Sequence, residues 1–502
     1  MKRANEGESS GAPAATHPCL GDVLKFLALM RGEAGSPEPA RTERRTPEAH
    51  VAECAATMRR ETARSPVPEF SADQAAVFDV AVNRRASVFI AGAAGTGKTF
   101  CMLRIHRQLA AMFGSAIVLA SSTGKSAVAI GGRTLHGFAG IGLGRESAEQ
   151  LAARVRKSAA AYKRWRSTDT LIIDEISMIS GALFTKLDTI ARTVRGRPSE
   201  PFGGMQIVAC GDFFQLEPVE VAAEGQCFDS PAWRTTFGDN AFMLTVPHRQ
   251  AGDAPFLRLL DELRDGALSP ESSALLGTRV GATIAGGAPW LVARRDRAAK
   301  INMDEFAKLG GGTLVYDAAR RPGSDARAID DMLRQGVADE RLTLRVGARV
   351  MLTANLDLAK GLCNGAMGTV IDFVAPPSTI DTHVPGKTVH LPVVRFDGGV
   401  VSEIDRHVWE HVDGAGRGDA WLVQMPLILG WAITIHKAQG MTLDAANVEI
   451  GGCFAGGHVY VALSRTRTIA GLRIDAVPDP RRYAPNPAVA EFYRTSVRRC
   501  IA

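Results

Sequence analysis

The sequence predicts an α/β protein with two parallel-sheet domains, one of them interrupted by a small β-barrel. Three observations carry this expectation. From residue 70 onward, short continuous apolar runs alternate with helical segments, the pattern of strands covered on both faces. A Gly-rich loop, Gly92–Thr99, stands between one such run and a helix. From about Gly347 to Val412 the texture turns β-rich and punctuated by Gly and Pro (GARVMLTAN, GAMGTVIDFV, KTVHLPVVRFDG), as in a small inserted barrel.

The bulk numbers agree with a multidomain globular chain. At 502 residues it is too long for one core, and about three domains of ~150 residues are expected. Hydrophobic residues make up 46% and charged residues 22%, an ordinary balance for a soluble protein. No apolar run approaches the ~20 residues that span a bilayer, so no membrane helix is expected. Early Glu6 and Glu8 and the lack of an apolar stretch after Met1-Lys2-Arg3 disfavour secretion and mitochondrial import. The eight cysteines are scattered without a C-x-x-C pair, which points to a reducing compartment and away from structural zinc or iron–sulfur. A net charge of +6 permits nucleic-acid binding without predicting it.

Residues 1–69 are rich in Pro, Ala, Glu and Arg and read as a disordered tail. Within it, Val23, Leu24, Leu27 and Met30 share one helical face, suited either to docking a protein partner or to packing on the core. Buried strands are expected at Ser87–Ala91, Ala116–Ala120, Thr170–Ile173, Gln206–Cys210 and Ala241–Leu244. A second α/β region begins near Phe256 and resumes at Trp421–Gly430.

The loop Gly92-Ala93-Ala94-Gly95-Thr96-Gly97-Lys98-Thr99 follows an apolar strand and opens a helix, which is the setting of a phosphate-binding loop. Its backbone N–H groups and the helix N-terminus favour bound phosphate. Lys98 would neutralise the γ-phosphate of ATP and the Thr99 hydroxyl would ligate Mg²⁺. Downstream, the run Thr170-Leu171-Ile172-Ile173 ends in Asp174-Glu175. Asp174 would hold the Mg²⁺ and Glu175 would orient or deprotonate the attacking water. In GDFFQLEPV, Gln215 at a strand end can sense a γ-phosphate, and neighbouring aromatics such as Phe214 could offer stacking faces to bases. This stretch alone reads better as core Phe beside an exposed Gln.

Taken together, these motifs resemble superfamily 1B helicases of the PIF (petite integration frequency) type, with bacterial RecD more distant. The resemblance covers roughly residues 70–480, and the motifs recur in the family's order. Phe70-Ser71-Ala72-Asp73-Gln74 resembles the Gln motif, implying that Gln74 reads the adenine edge. Gly92–Thr99 and Asp174-Glu175 are similar to motifs I and II, Ser122-Thr123-Gly124 to motif Ia, and Gly131–Gly144 to the segment that contacts single-stranded DNA. Ser177-Met178-Ile179-Ser180-Gly181 matches the family's signature after motif II, and GDFFQLEPV resembles motif III, which implies the sensor role for Gln215. Pro247-His248-Arg249-Gln250 resembles motif IV, the stretch from Gln424 through Trp431 to Asp444 motif V, and Tyr460–Arg465 motif VI. The resemblance implies that Arg249 and Arg465 reach the γ-phosphate from the second domain, and that Gly440 lies at the nucleotide. His248, Glu217, Ala438 and His458 depart from the family's usual Phe, Pro, Ser and Gln.

The implied architecture is two RecA-like P-loop domains with a small wedge and an SH3-like barrel. Residues 70–245 form domain 1A with the wedge at about 145–168. Residues 246–346 and 421–480 form domain 2A, 347–420 the barrel 2B, and 481–502 a C-terminal tail. The wedge stretch Arg145–Asp169 sets seven basic residues among Tyr162 and Trp165, suited to tracking phosphates while stacking a base. Thr123, Lys125, Thr134, His136, Thr434, His436 and Lys437 are the further DNA-facing candidates. Their contacts would position a strand without reading sequence.

The expected function is ATP-dependent 5′-to-3′ translocation on single-stranded DNA with unwinding of forked or tailed duplexes, in replication, repair, recombination or telomere maintenance. The expected unit is an intracellular monomer, in nucleus, mitochondrion, viral factory or bacterial cytoplasm. The polarity comes from the resemblance alone. Two alternatives are a DNA-stimulated ATPase that remodels protein or RNA, and a P-loop DNA-binding scaffold that unwinds nothing.

Overall fold

The computed structural model describes residues 69–499 except 143, 218–223, 285, 322, 358–359, 376–389, 413–417 and 480–482. The expected docking helix near Leu20–Met30 and the tail at 1–68 lie outside the described residues.

The first α/β unit is built on six strands: β1 (Val88–Gly92), β2 (Ile117–Ser121), β3 (Arg133–Thr134), β4 (Thr170–Asp174), β5 (Gln206–Gly211) and β6 (Ala241–Leu244). They lie in the order β6-β1-β5-β4-β2-β3, all parallel. Strand β1 shows why these segments are apolar without interruption. Val88 and Ile90 enter the core under the helix Lys98–Phe113, while Phe89 and Ala91 enter the core on the opposite face with Phe184 and Trp233. Side chains alternate across a strand, so a sheet covered on both faces needs apolar residues at every position. Each large side chain buried this way contributes about 1.5–3 kcal/mol.

Residues 487–499, expected as part of a tail, instead return to this first unit. The helix Pro487–Ser496 buries Val489 and Phe492, and Phe492 stacks on Phe228 with ring centroids 4.2 Å apart. Arg498–Arg499 then pairs in parallel with the outer edge of β6, making a seventh strand. The apolar spacing of one short helix gave no indication of the surface it would cover.

The second α/β unit carries a four-stranded parallel sheet in the order Ala432–Thr434, Trp290–Val292, Ala446–Val448, Leu472–Ile474. Between its halves lies an antiparallel region. Arg349–Leu352, Met367–Val374, Leu391–Phe396, Val401–Glu403 and Leu427–Leu429 form one five-stranded sheet. Its core also takes Tyr316, Leu342 and Leu344, from an antiparallel strand pair that precedes the expected barrel boundary at 347. Gly418–Gln424 pairs elsewhere, with His407–Val412 and Ala319–Arg320. The insertion thus draws on segments from both flanks, which add Tyr316, Leu342, Leu344 and Leu427 to its core.

The wedge stretch forms two helices, Ala148–Lys157 and Ala159–Ser167. Trp165 is fully buried, its indole N–H donates to Ala139 O at 3.0 Å, and its ring packs on Phe138 at 5.0 Å. It is a core residue, which corrects the expectation that it stacks a base. Arg164 is likewise spent on the carbonyls of Phe138 and Gly137. The exposed cations of the wedge are Arg145, Arg154, Arg156, Lys157, Lys163 and Arg166; of these, Arg154 pairs with Glu146 and Arg156 donates to Thr193 O.

Candidate functional site

Strand order assembles the site. Because β5 lies between β1 and β4, the carboxyl ends of all three are neighbours, and Ala91 pairs with Gly211 at the top of β1. The phosphate loop after β1, the acidic pair at the end of β4 and Asp212–Gln215 after β5 therefore converge. Ligands of open parallel sheets bind at this edge.

The loop backbone needs its glycines. Gly95 and Gly97 have φ of +88° and +81°, a region that disfavours other residues. A Cβ on Gly95 would lie 2.7 Å from the Arg249 Cβ, and one on Gly97 2.8 Å from Gln74 Nε2. Thr96 Oγ1 donates to Ala93 O at 2.9 Å, and Lys98 Nζ donates to Gly92 O at 2.8 Å and Ala93 O at 3.0 Å. Lys98 and Thr99 open the helix Lys98–Phe113, so the ammonium, the hydroxyl and the helix N-terminus share one place.

Asp174 is buried at the end of β4, where its Oδ1 accepts from Glu175 N and from Cys210 Sγ, each at 2.9 Å. Burial pushes its carboxyl up. Glu175 takes a left-handed backbone, φ 52°, unusual for a side-chain-bearing residue and the kind of strain that concentrates at functional sites. Burial, then the neighbouring Asp174, push Glu175 up to about 7, against the pull of Lys98 and Arg465.

A cavity of about 380 Å³ joins these groups to the second unit. Its walls include Ala94, Gly95, Gly97, Lys98, Thr99, Asp174, Glu175 and Gln215, and across the cleft Gly440, Thr442, Arg465 and Arg467. Arg465 is 1% exposed, with Nε on Val461 O at 2.8 Å and Nη2 on Ser464 Oγ at 2.7 Å. Burial, then the Arg249 charge, pull its guanidinium down to about 9, so it remains a cation at neutral pH.

Arg249 also lines the cavity but approaches from the other side than expected. His248 N donates to Gly95 O at 2.9 Å, so motif IV packs on the phosphate loop itself just after β6. Its guanidinium then reaches Ser464 O at 3.1 Å. Arg249 thus starts from the phosphate-loop side of the pocket and Arg465 from the second unit, because the chain leaving β6 passes the adjacent loop before it enters the second unit.

Other expected residues sort as follows. Gln74 is 1% exposed, accepts from Ser71 N at 3.2 Å and turns its amide toward Thr96 O at 3.5 Å, so in this structure it braces the loop. An adenine contact would require that amide to turn outward. Thr134 and Thr434 end their strands and Thr123 stands two residues past its own; they accept from backbone N–H groups of Gly137, Lys437 and Ser126. Those hydroxyls cap turns at the carboxyl edges of the two sheets. Lys437 Nζ lies 3.4 Å from Gly336 O, His436 is exposed and His136 is half-buried. The side chain of Lys125 and residue Leu143 lie outside the described residues. Phe214 does not present a face to a base: its ring is occupied by the Arg264 guanidinium at 4.2 Å and by Tyr493 at 4.7 Å.

The sequence reading assigned no role to Asp212, Arg264, Tyr460 or Tyr493, which form a buried cluster beside the cavity. Asp212 is 0% exposed and accepts from Arg264 Nη2 at 3.1 Å, Tyr493 Oη at 3.2 Å and Gln215 Nε2 at 3.4 Å. Burial alone would raise its carboxyl, but Arg264 and Lys98 outweigh burial and hold it below the usual range. Asp212 and Tyr460 lie inside motifs already recognised; Arg264 sits on an ordinary amphipathic helix, Ala254–Asp265, with no local signal.

Fold and site together define a protein of two RecA-like P-loop domains with a composite nucleotide pocket at their junction. Residues 69–273 match the family model of PIF1-like helicases, and residues 330–373 match that of the 2B domain of DNA helicase Pif1. The ATP-dependent DNA helicase PIF1 of Danio rerio is 38% identical over 433 residues, which is 85% of this chain and 64% of that protein. The crystal structure of a Pif1 helicase from Candida albicans superposes with a TM-score of 0.72 at 33% identity, covering 85% of this chain and 99% of that one. A Bacteroides Pif1 helicase in complex with ADP-AlF3 and single-stranded DNA gives 0.61 at 27% identity, covering 85% and 97%. The chain belongs to the PIF1-like helicase family. It spans a little under two thirds of the length of the curated relatives it matches.

Proposed function

We propose that this chain is an ATP-dependent DNA helicase that moves on single-stranded DNA and unwinds tailed or forked duplexes. The cavity carries the reading: it brings Lys98, Thr99, Asp174, Glu175, Gln215, Arg249 and Arg465 together from two domains. A pocket shared by two lobes couples its occupant to their separation, so triphosphate binding closes the cleft and hydrolysis releases it. DNA contacts on one lobe then slip relative to the other.

Within the pocket, the loop N–H groups and Lys98 hold the phosphates. Glu175 orients the attacking water and accepts its proton, and a carboxylate shifted toward neutrality suits that task. Gln215 reports the γ-phosphate to Asp212. Arg465 and Arg249 offset charge that develops on the transferred phosphoryl group, a contribution of about 10³–10⁵ in rate for finger arginines. The Thr99 hydroxyl and the Asp174 carboxylate are hard oxygen donors at one wall, the small donor set that Mg²⁺ accepts when phosphates supply the rest. Held by Thr99 and Asp174, the ion would offset phosphate charge.

The DNA reading rests on Thr123, Thr134, Thr434 and His436 at the carboxyl edges of the two sheets and on the exposed cations of the wedge. Such contacts are sequence-tolerant and salt-sensitive. The Bacteroides relative's complex with single-stranded DNA supports the same substrate. We assign the activity to a monomer acting inside the cell, as the resemblance to PIF-type helicases implies. Among the described residues no helix is long and apolar enough to cross a membrane. Polarity is proposed as 5′-to-3′, with genome maintenance as its setting. The test is DNA-stimulated ATP hydrolysis in the parent and in Lys98→Ala; stimulation by single-stranded DNA that vanishes in the variant supports an enzyme, and none in the parent excludes it.

A further inference from the structure

The buried cluster beside the pocket contains one hydrogen bond that ties the phosphate loop to the second domain. The Ala94 backbone N–H donates to Tyr460 Oη at 2.9 Å, across 366 residues of sequence. Tyr460 is 2% exposed and does not line the cavity, so its oxygen reaches the loop from behind while Ala94 faces the pocket. The phenol keeps its proton, because burial and then Asp212 raise its pKa. That proton points to Asp212 Oδ2 at 3.4 Å, the same oxygen that Gln215 Nε2 approaches at 3.4 Å.

We infer that Tyr460 is a positioning residue: its hydroxyl sets the distance between the phosphate loop and the helix that delivers Arg465. Tyr460 lies on the helix Gly456–Leu463, and Arg465 follows two residues after its end. One face of that helix is pressed onto motif III, where a Cβ at Gly457 would collide with the Gln215 carbonyl oxygen. Loop, γ-phosphate sensor and arginine are therefore referred to one short helix, and the Tyr460 hydroxyl is its polar link to the loop. On the far side Asp212 is anchored by Arg264 of the second domain and by Tyr493 of the returning C-terminal helix. A carboxylate held by an arginine and a tyrosine is a stiff acceptor, so the Tyr460 hydroxyl has little room to drift.

This inference rests on the nucleoside-triphosphate reading of the pocket. It predicts a loss in the chemical step rather than in binding. The loop groups that hold phosphates remain without the hydroxyl, whereas Arg465 is no longer registered against them. Misplacement on the order of 1 Å costs roughly 10²-fold in rate.

The experiment compares the full chain with Tyr460→Phe, which removes one oxygen and keeps the ring. The measurements are DNA-stimulated turnover, KM for ATP, affinity for a fluorescent ADP analogue, and the melting midpoint. The expected result is a turnover number lowered roughly tenfold or more, with KM and ADP affinity within about threefold and a midpoint close to the parent's. Turnover within twofold of the parent overturns the inference. So does a parallel loss of turnover, ADP affinity and melting midpoint, which would make the hydroxyl merely structural. A parent without DNA-stimulated hydrolysis would instead count against the proposed function.

Discussion

Gln439 of the second domain donates its side-chain amide to the Glu175 carboxylate of the first, Nε2 to Oε2 at 3.3 Å. It is a direct side-chain contact from across the cleft to the carboxylate proposed to handle the attacking water. Its formation depends on how the two domains sit, so it links closure to the readiness of the base. Gln439→Ala is expected to lower turnover about tenfold, within the range usual for general acid–base assistance, while KM for ATP changes little. Steady-state hydrolysis with saturating single-stranded DNA measures both.

Asp212 and Arg264 make a cross-domain ion pair, with side chains 0% and 11% exposed. Removing the cation strands a buried carboxylate, which costs about 3–5 kcal/mol. Arg264→Met should therefore lower the melting midpoint markedly. Arg264→Met combined with Asp212→Asn should recover part of the loss, since the stranded charge is then gone. Thermal melts of the two variants beside the parent check the order.

Gly457 allows the motif VI helix to touch the backbone of Gln215. Gly457→Ala must push the helix away from motif III, carrying Arg465 with it. Hydrolysis should fall at least about tenfold, the scale of loss that misaligned reacting groups produce, with nucleotide affinity largely kept. Single-turnover kinetics separates the chemical step from binding.

The wedge divides into interior and surface. Trp165→Ala should destabilise by about 3–5 kcal/mol, as for other large aromatics emptied from a core, without altering the salt dependence of DNA binding. Lys157→Ala and Lys163→Ala should do the reverse, keeping stability while each lowers the salt slope by about 1 or less. Denaturation curves and salt titrations of single-strand affinity test the pair.

The first sheet was largely legible because each strand is buried on both faces and reads as a short apolar run. Ala241–Leu244 falls at its expected bounds, and the other four expected strands of this sheet are each offset by one residue or less at either end. The phosphate loop and Asp174-Glu175 were legible because their chemistry needs fixed residues at fixed spacing. Less visible was whatever depends on segments distant in sequence. An aromatic near polar or charged residues looks the same in sequence whether it faces a base or packs inside, as Trp165 and Phe214 show. Pro487–Ser496 is an unremarkable short helix until it meets Phe228. Arg249 could not be placed on its side of the pocket without knowing that His248 bonds to Gly95. The Asp212 cluster draws on four separate segments, and only their convergence gives it meaning.

The most direct test of the central claim is strand separation on duplexes carrying a single-stranded tail at either the 5′ or the 3′ end, with Arg465→Ala run alongside. The composite pocket predicts ATP-dependent unwinding and an Arg465→Ala variant that binds nucleotide and DNA yet separates no strands; the family resemblance adds that the 5′-tailed duplex is the one unwound. ATP-dependent unwinding of neither duplex, or undiminished unwinding by Arg465→Ala, would contradict it.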